Sequence, residues 1–182
     1  MKISRRAFLG SAAAAATLPF PALASPGERL RIAVVGLRGR GKYLVTTFLA
    51  IPGVEIAALC DVTPEFTAER VETVEKAGGK KPAFFADPRK LFEDKSIDAV
   101  VISTPNHTHA WLTVLALQAG KHVYVEKPMS HTVWEGRKIV EAQKKYGKVV
   151  SQGSQSRSQT DLREAMAYLR SGALGAVKVA RG

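Results

Sequence analysis

The chain has 182 residues, a length that suits one ordinary domain together with a signal segment or a short part of a second domain. Hydrophobic residues make up 46% of the sequence, which is enough for a packed core and excludes a disordered chain. The formal net charge of +11 would suit a nucleic-acid partner. However, the basic residues are dispersed singly or in pairs along predicted helices, as in Lys80-Lys81 and Lys144-Lys145. This pattern favours solvated helix faces, and we predict no nucleic-acid partner.

The first residues have the pattern of an export signal. A basic start is followed by a mildly apolar, Ala-rich middle and by the sequence Ala-Leu-Ala at residues 22–24. The sequence RRAFL at residues 5–9 resembles a twin-arginine signal. We therefore predict a signal peptide over residues 1–24, the twin-arginine export machinery as a partner and a periplasmic or otherwise exported location. The apolar part is too short to span a bilayer, so we predict no stable membrane anchor. A basic N-terminal helix is the alternative.

From residue 31 onwards, short β-branched runs alternate with segments of helical length. The pattern predicts strands over residues 31–35, 54–60, 83–85, 98–102, 122–125 and 148–151. It predicts helices over residues 40–51, 64–77, 107–119 and 131–146, with a shorter one over 88–93. Strands that are apolar on both faces and joined by helices indicate an α/β fold with a doubly wound parallel sheet, here over residues 30–150. Right-handed crossovers then bring the carboxyl end of every strand to one edge.

The pattern changes after Gly153. A polar linker is followed by a predicted helix over residues 161–170 and by a strand that begins near Val177. Since a lone edge strand cannot bury its faces, we interpret residues 154–182 as the truncated start of a second, C-terminal α/β domain.

A glycine-rich turn directly follows the first strand. The sequence Gly36-Leu37-Arg38-Gly39-Arg40-Gly41 meets the G-x-G-x-x-G frame at its first and last glycines, whereas Arg38 replaces the middle one. Such a turn lets backbone amides at a helix start approach a pyrophosphate. We predict that Gly36, Leu37, Arg38 and Gly41 bind a cofactor.

An acidic residue ends the second strand. Asp61 lies 25 residues after Gly36 and can accept hydrogen bonds from both ribose hydroxyls of an adenosine, while its charge repels a 2′-phosphate. A capping role before Thr63-Pro64 is the alternative, and it is compatible with ribose binding. Strand, turn, helix, strand and acid together predict a dinucleotide-binding Rossmann domain. The predicted cofactor is NAD, with NADP possible because Arg38 or Arg40 would soften the preference.

Polar residues also follow the later strands. We predict cofactor contacts from Thr104, Asn106 and His107 after the fourth strand, from Glu126 after the fifth and from Gln155 after the sixth. His107 and His109 have no acidic or thiol ligand nearby, so we predict no metal site. Both histidines are expected to make polar contacts at a helix start that Asn106 caps. Cys60 is the only cysteine, which excludes an internal disulfide and predicts a buried free thiol.

Two stretches carry a resemblance to a known family. The first, AVVISTPNHTHAWLTVLALQAGKHVYVEKPMS, is similar to the N-terminal nucleotide-binding domain of the glucose–fructose oxidoreductase, inositol dehydrogenase and MocA family (Gfo/Idh/MocA). The second, DLREAMAYLRSGALGAVKVARG, resembles the entry to the family's C-terminal substrate domain. The resemblance implies that Lys127 lies beside the nicotinamide and the substrate hydroxyl as a catalytic residue, before a cis peptide bond to Pro128. It also implies that Asn106, His107, Glu126 and Gln155 line the cofactor cleft.

The resemblance implies an NAD(P)-dependent oxidoreductase that acts on a sugar, a polyol or a related carbohydrate. We expect a homo-oligomer in the full-length protein, and we expect Gly36, Asp61 and Lys127 to border one crevice. Two alternatives remain open. One is an NAD-dependent glycosidase that acts by transient oxidation and elimination, and the other is a non-catalytic dinucleotide-binding module.

Overall fold

A six-stranded parallel sheet forms the centre of the computed structural model, which describes residues 29–181. The predicted signal peptide lies outside the described residues. The strands are β1 (Leu30–Val35), β2 (Val54–Cys60), β3 (Ala83–Phe85), β4 (Ala99–Ile102), β5 (His122–Val125) and β6 (Val150–Gln152). The helices are α1 (Arg40–Leu49), α2 (Glu65–Lys76), α3 (Pro88–Glu93), α4 (Asn106–Gln118), α5 (Val133–Tyr146) and α6 (Thr160–Arg170), with a 3₁₀ turn at Gln155–Ser158.

The strand order is β3-β2-β1-β4-β5-β6, and all neighbouring strands are parallel. This is the order of the doubly wound dinucleotide-binding fold, in which the winding direction reverses between β1 and β4. The predicted fold class is therefore confirmed. The reversal separates two neighbouring loops at the carboxyl edge and leaves room for a ligand between them.

Each face of the sheet has its own apolar core. Helices α1 and α2 cover one face, where the buried side chains include Leu44 and Val74. Helices α3, α4 and α5 cover the other face with buried side chains such as Leu91, Leu117 and Ala142. Burial on both faces explains why the central strands β1, β2 and β4 contain nearly continuous apolar runs rather than alternating patterns.

The predicted element boundaries are accurate to within a few residues. The difference at the start of α5 is explained by a helix cap. Helix α5 begins at Val133 rather than at residue 131 because Thr132 caps it. The Thr132 hydroxyl accepts a hydrogen bond from the Glu135 N–H at 3.2 Å, and the Glu135 carboxylate accepts one from the Thr132 N–H at 2.9 Å. This reciprocal pair satisfies two N–H groups that a helix start otherwise leaves without partners.

The chain after β6 differs from the prediction in one respect. Helix α6 forms as predicted, but the predicted strand near Val177 is wrong, because residues 176–181 have no regular structure. A strand needs a partner for its backbone groups, and none of the six described strands pairs with this segment. Within residues 29–181, no helix has the length and apolar character needed to cross a membrane.

Candidate cofactor-binding site

The strands end in one row at the carboxyl edge of the sheet. Val35 pairs with both Cys60 and Ile102, Ile102 pairs with Val125, and Val125 pairs with Gln152. The loops of five strands therefore leave the sheet at the same level. Their first residues are Asp61, Gly36, Ser103, Glu126 and Gly153, in spatial order.

A crevice of about 920 Å³ opens above this row. Its walls come from the loops that follow β1, β2, β3 and β4, together with the first turns of α4. Four of the predicted site residues line it, namely Gly36, Arg38, Asp61 and Thr104. The crevice thus lies at the reversal of the winding direction, where the fold predicts a ligand.

The glycines of the first turn are required by close packing. Gly36 has φ +87°, and a Cβ atom there would lie 2.9 Å from the Ser103 carbonyl oxygen. A Cβ atom at Gly41 would lie 1.9 Å from the Gly36 carbonyl oxygen. Gly39 also lines the crevice with φ +44° and has open space around its Cα atom. Gly39 was not among the predicted site residues, although it stands in the same glycine-rich run.

Asp61 fastens the second loop to the first. Its Oδ2 accepts a hydrogen bond from the Leu37 N–H at 2.7 Å, and its Oδ1 accepts one from the Thr63 N–H at 2.9 Å. The Leu37 side chain is buried in the core, and its carbonyl accepts a hydrogen bond from the buried Arg70. Leu37 therefore belongs to the framework of the turn. Since a carboxylate offers about four lone-pair positions, Asp61 keeps acceptor capacity towards the crevice.

Arg38 occupies the position of the middle glycine of the motif, and its side chain extends towards Phe66. The guanidinium carbon lies 4.8 Å from the centre of the Phe66 ring on α2, a cation–π contact. This contact accounts for the tolerance of a long side chain at this position.

Ser103 is a site residue that the sequence analysis missed. Its hydroxyl donates to the Gly36 carbonyl at 2.8 Å and so ties the β4 loop to the glycine turn. The signal that would have found it is its position, since it follows β4 directly in the same row as Gly36.

The start of α4 lies at the β4 loop. Asn106 does not cap this helix, contrary to expectation, because it is the first helical residue and Pro105 holds the N-cap position without a side-chain bond. Asn106 and His107 are exposed and do not line the crevice. His109 makes the polar contacts expected near the helix start, with its Nε2 2.7 Å from the Thr104 carbonyl oxygen.

The β5 loop lies one strand beyond the crevice. Glu126 is buried, and its Oε1 accepts a hydrogen bond from Arg40 Nε at 2.8 Å, which raises the pKa of Arg40. Lys127 is exposed on the same edge, and the bond to Pro128 is cis, as the resemblance implied. Gly36, Asp61 and Lys127 were expected to line one crevice. Gly36 and Asp61 do line it, whereas Lys127 does not. Gln155 lies half-buried in the 3₁₀ turn after β6.

This arrangement fits the adenosine half of a dinucleotide. The glycine turn lines the crevice with Gly36, Arg38 and Gly39 and leads directly into α1, and the first turn of a helix attracts phosphate. Asp61 stands one strand away with acceptor capacity for ribose hydroxyls. Among the described residues there is no group of three or more His, Cys, Asp or Glu side chains that could hold a metal ion.

Cys60 ends β2 beside Asp61, and it is a buried free thiol, as predicted. Burial, with a smaller contribution from the negative charges of Asp61 and Asp87, raises the pKa of this thiol to about 12.

The raised pKa of Cys60 predicts slow alkylation. The thiolate is the reactive form, so we expect alkylation of the folded chain at pH 8 to be on the order of a thousandfold slower than that of the chain unfolded in urea. Mass spectrometry after iodoacetamide treatment measures both rates on the single cysteine. Equal rates would contradict the buried, protonated thiol.

Comparison with known proteins gives the same fold. Residues 30–154 match the profile described as an oxidoreductase family with an NAD-binding Rossmann fold, named GFO_IDH_MocA. A glycosyl hydrolase family 109 protein of Porphyromonas gingivalis is 39% identical over 118 residues, covering 63% of this chain and 25% of the relative. The oxidoreductase YdgJ of Escherichia coli is 32% identical over 151 residues, covering 82% of this chain and 41% of the relative.

Among solved structures, apo scyllo-inositol dehydrogenase from Lactobacillus casei superposes with a TM-score of 0.69 at 25% identity, covering 81% of this chain and 43% of that one. The chain thus spans between a quarter and less than half of the length of these relatives. The profile covers most of the described residues and includes every strand of the sheet. The chain belongs to the Gfo/Idh/MocA oxidoreductase family, of which it contains the NAD-binding Rossmann domain.

Proposed function

We propose that this protein transfers a hydride between a nicotinamide cofactor and the carbinol carbon of a sugar or polyol. The observation that carries the proposal is the crevice in which the glycine turn, Asp61 and the β4 loop meet, on the same edge as Lys127. The likeness to scyllo-inositol dehydrogenase, whose name specifies a polyol, supports this substrate class.

In this proposal, the loops after β1 and β2 bind the adenosine half of the cofactor. The N–H groups at the start of α1 hold the pyrophosphate, and Asp61 accepts hydrogen bonds from the adenosine ribose hydroxyls. The Leu37 and Thr63 N–H groups already fix both oxygens of Asp61, so the carboxylate is oriented before a ligand arrives. Such preorganisation lowers the entropic cost of binding.

In this proposal, Lys127 of the β5 loop takes part in the reaction itself. When bound, the nicotinamide supplies the carbon that accepts or returns the hydride. Lys127 Nζ binds the substrate hydroxyl and holds or relays its proton. Its exposed position on the carboxyl edge leaves the amine accessible to a substrate. General acid–base assistance of this kind contributes about 10²- to 10⁴-fold to a rate.

Replacing Asp61 tests the ribose contact. We expect Asp61→Asn to narrow the preference for NAD over NADP about tenfold, because it removes the charge that repels a 2′-phosphate. The amide nitrogen cannot accept a hydrogen bond, so one of the two bonds from Leu37 and Thr63 is also lost, which weakens the binding of both cofactors alike. Binding is measured by quenching of Trp111, which lines the crevice, in a Trp134→Phe background that removes the other tryptophan. Asp98→Asn, at the opposite edge of the sheet, is the control. An equal loss of affinity for NAD and for NADP would contradict a contact between Asp61 and the adenosine ribose.

Replacing Lys127 tests the proton-handling role. We expect Lys127→Met to lower turnover of a polyol by at least about 100-fold and to leave the dissociation constant of NAD unchanged, because the amine acts on the substrate rather than on the adenosine half. Lys95→Met, on an exposed loop at the other edge, should keep full turnover. Normal activity of Lys127→Met would end the catalytic assignment.

A second candidate is a glycosidase that uses the same cofactor by transient oxidation and elimination. It is favoured by the 39% identity with the glycosyl hydrolase family 109 protein. Product analysis separates the two reactions. If the proposed dehydrogenase reaction holds, each mole of oxidised polyol yields one mole of NADH. Cleavage of a glycoside with no net change in the absorbance of NADH would favour the glycosidase.

A further inference from the structure

The backbone at Lys127 is connected through Glu126 to the glycine turn. Arg40, the first residue of α1, donates from Nε to Glu126 Oε1 at 2.8 Å. The other carboxylate oxygen of Glu126, Oε2, accepts a hydrogen bond from the Lys127 backbone N–H at 3.2 Å. The Arg40 side chain at the start of α1 is therefore linked through the Glu126 carboxylate to the backbone of the β5 loop, although β4 lies between β1 and β5 in the sheet.

The Glu126 carboxylate is confined from its other side. The Tyr124 hydroxyl lies 3.4 Å from Oε1, and a Cβ atom at Gly153 would lie 2.8 Å from the same oxygen. The side chain is only 5% exposed, so its charge is largely removed from water. A buried carboxylate needs a partner of opposite charge, and Arg40 is that partner.

The residue on the other side of Lys127 is held as well. The carbonyl oxygen of Pro128 lies 2.6 Å from His109 Nδ1, and the carbonyl oxygen of Thr104 lies 2.7 Å from His109 Nε2. Both ring nitrogens of His109 therefore lie within hydrogen-bonding distance of a backbone carbonyl oxygen. His109 is 1% exposed and connects the β5 loop to the wall of the crevice.

We propose that Arg40 and His109 are positioning residues for Lys127. They hold its two chain neighbours from the first turns of α1 and α4, and so they fix the point from which the amine reaches a substrate beside a cofactor bound at the glycine turn. The proposal rests on the function proposed above. A displacement of about 1 Å in a reacting group is sufficient to reduce turnover about 100-fold.

The variants can be matched closely. Arg40→Met removes the charge and keeps the stem, whereas Arg40→Lys keeps the charge. Arg31→Met is the control, since Arg31 makes an ion pair with Glu55 at the opposite edge of the sheet.

His109→Phe keeps a ring and removes both ring nitrogens, and with them the contacts to the Thr104 and Pro128 carbonyls. Its control is His122→Phe, because His122 Nδ1 accepts a backbone hydrogen bond from Val149 at the opposite edge. Arg40 is partly exposed, so its variants decide the proposal if the buried His109→Phe change prevents folding.

Amide hydrogen exchange tests the positioning without any cofactor or substrate. In Arg40→Met and His109→Phe, we expect exchange in the peptide over residues 126–131 to become at least about tenfold faster, with peptides from β1 and β2 unchanged. The two control variants should leave residues 126–131 unchanged. Unaltered exchange in residues 126–131, or an equal increase over the whole sheet, would overturn the proposal.

Kinetics then test whether the effect passes through Lys127. We expect Arg40→Met to lower kcat at saturating NAD about 10- to 100-fold, and Arg40→Lys to recover most of the loss. The double variant Arg40→Met/Lys127→Met should be no slower than Lys127→Met alone, because each substitution removes the same contribution to the rate, that of the Lys127 amine. Additive losses would overturn the positioning role. If the unaltered protein binds NAD and turns over no polyol or glycoside, the proposed function fails, and the exchange experiment still decides whether the two residues hold the β5 loop.

Discussion

The site depends on one steric constraint, the close approach of the glycine turn to the β4 loop. At Gly36, only a hydrogen atom fits against the Ser103 carbonyl, and at Gly41 only a hydrogen atom fits against the Gly36 carbonyl. The hydroxyl of Ser103 then secures this contact with a hydrogen bond at 2.8 Å. Because the turn lies against the neighbouring loop, α1 begins directly after Gly39, which lines the crevice. A side chain at either glycine would force the backbone apart and move the phosphate site.

In Asp61, the structural role that the hydrogen bonds show is compatible with the proposed binding role. The sequence allowed two interpretations, a local cap before Thr63 and a ribose contact. The structure contains the local bond and adds a second one, to Leu37 in the neighbouring loop. These two bonds use about half of the lone-pair positions of a carboxylate. The carboxylate is thereby fixed in place with capacity left for hydroxyl groups, so the first interpretation strengthens the second.

Local patterns predicted the strands, the helices and the parallel sheet, because burial on both faces leaves an unbroken apolar run in the sequence. Contacts between distant residues have no such local signal. Nothing near Arg38 indicates that its side chain lies over Phe66, and nothing near Arg40 indicates a partner 86 residues away. The predicted strand near Val177 failed for a related reason, since a β-branched run shows propensity but not the presence of a partner strand.

The pairing of Arg40 with Glu126 has a consequence for how the site assembles. A carboxylate that is almost fully buried is strongly unfavourable without its partner, so the β5 loop reaches its final position only when α1 is in place. The residue that follows Glu126 carries the amine proposed for proton handling. Both proposed reactions would begin at a substrate hydroxyl beside the cofactor, and the proposed placement of Lys127 would serve either one. The interaction therefore supports the step that the two reactions share, and their difference must arise from contacts with the rest of the substrate.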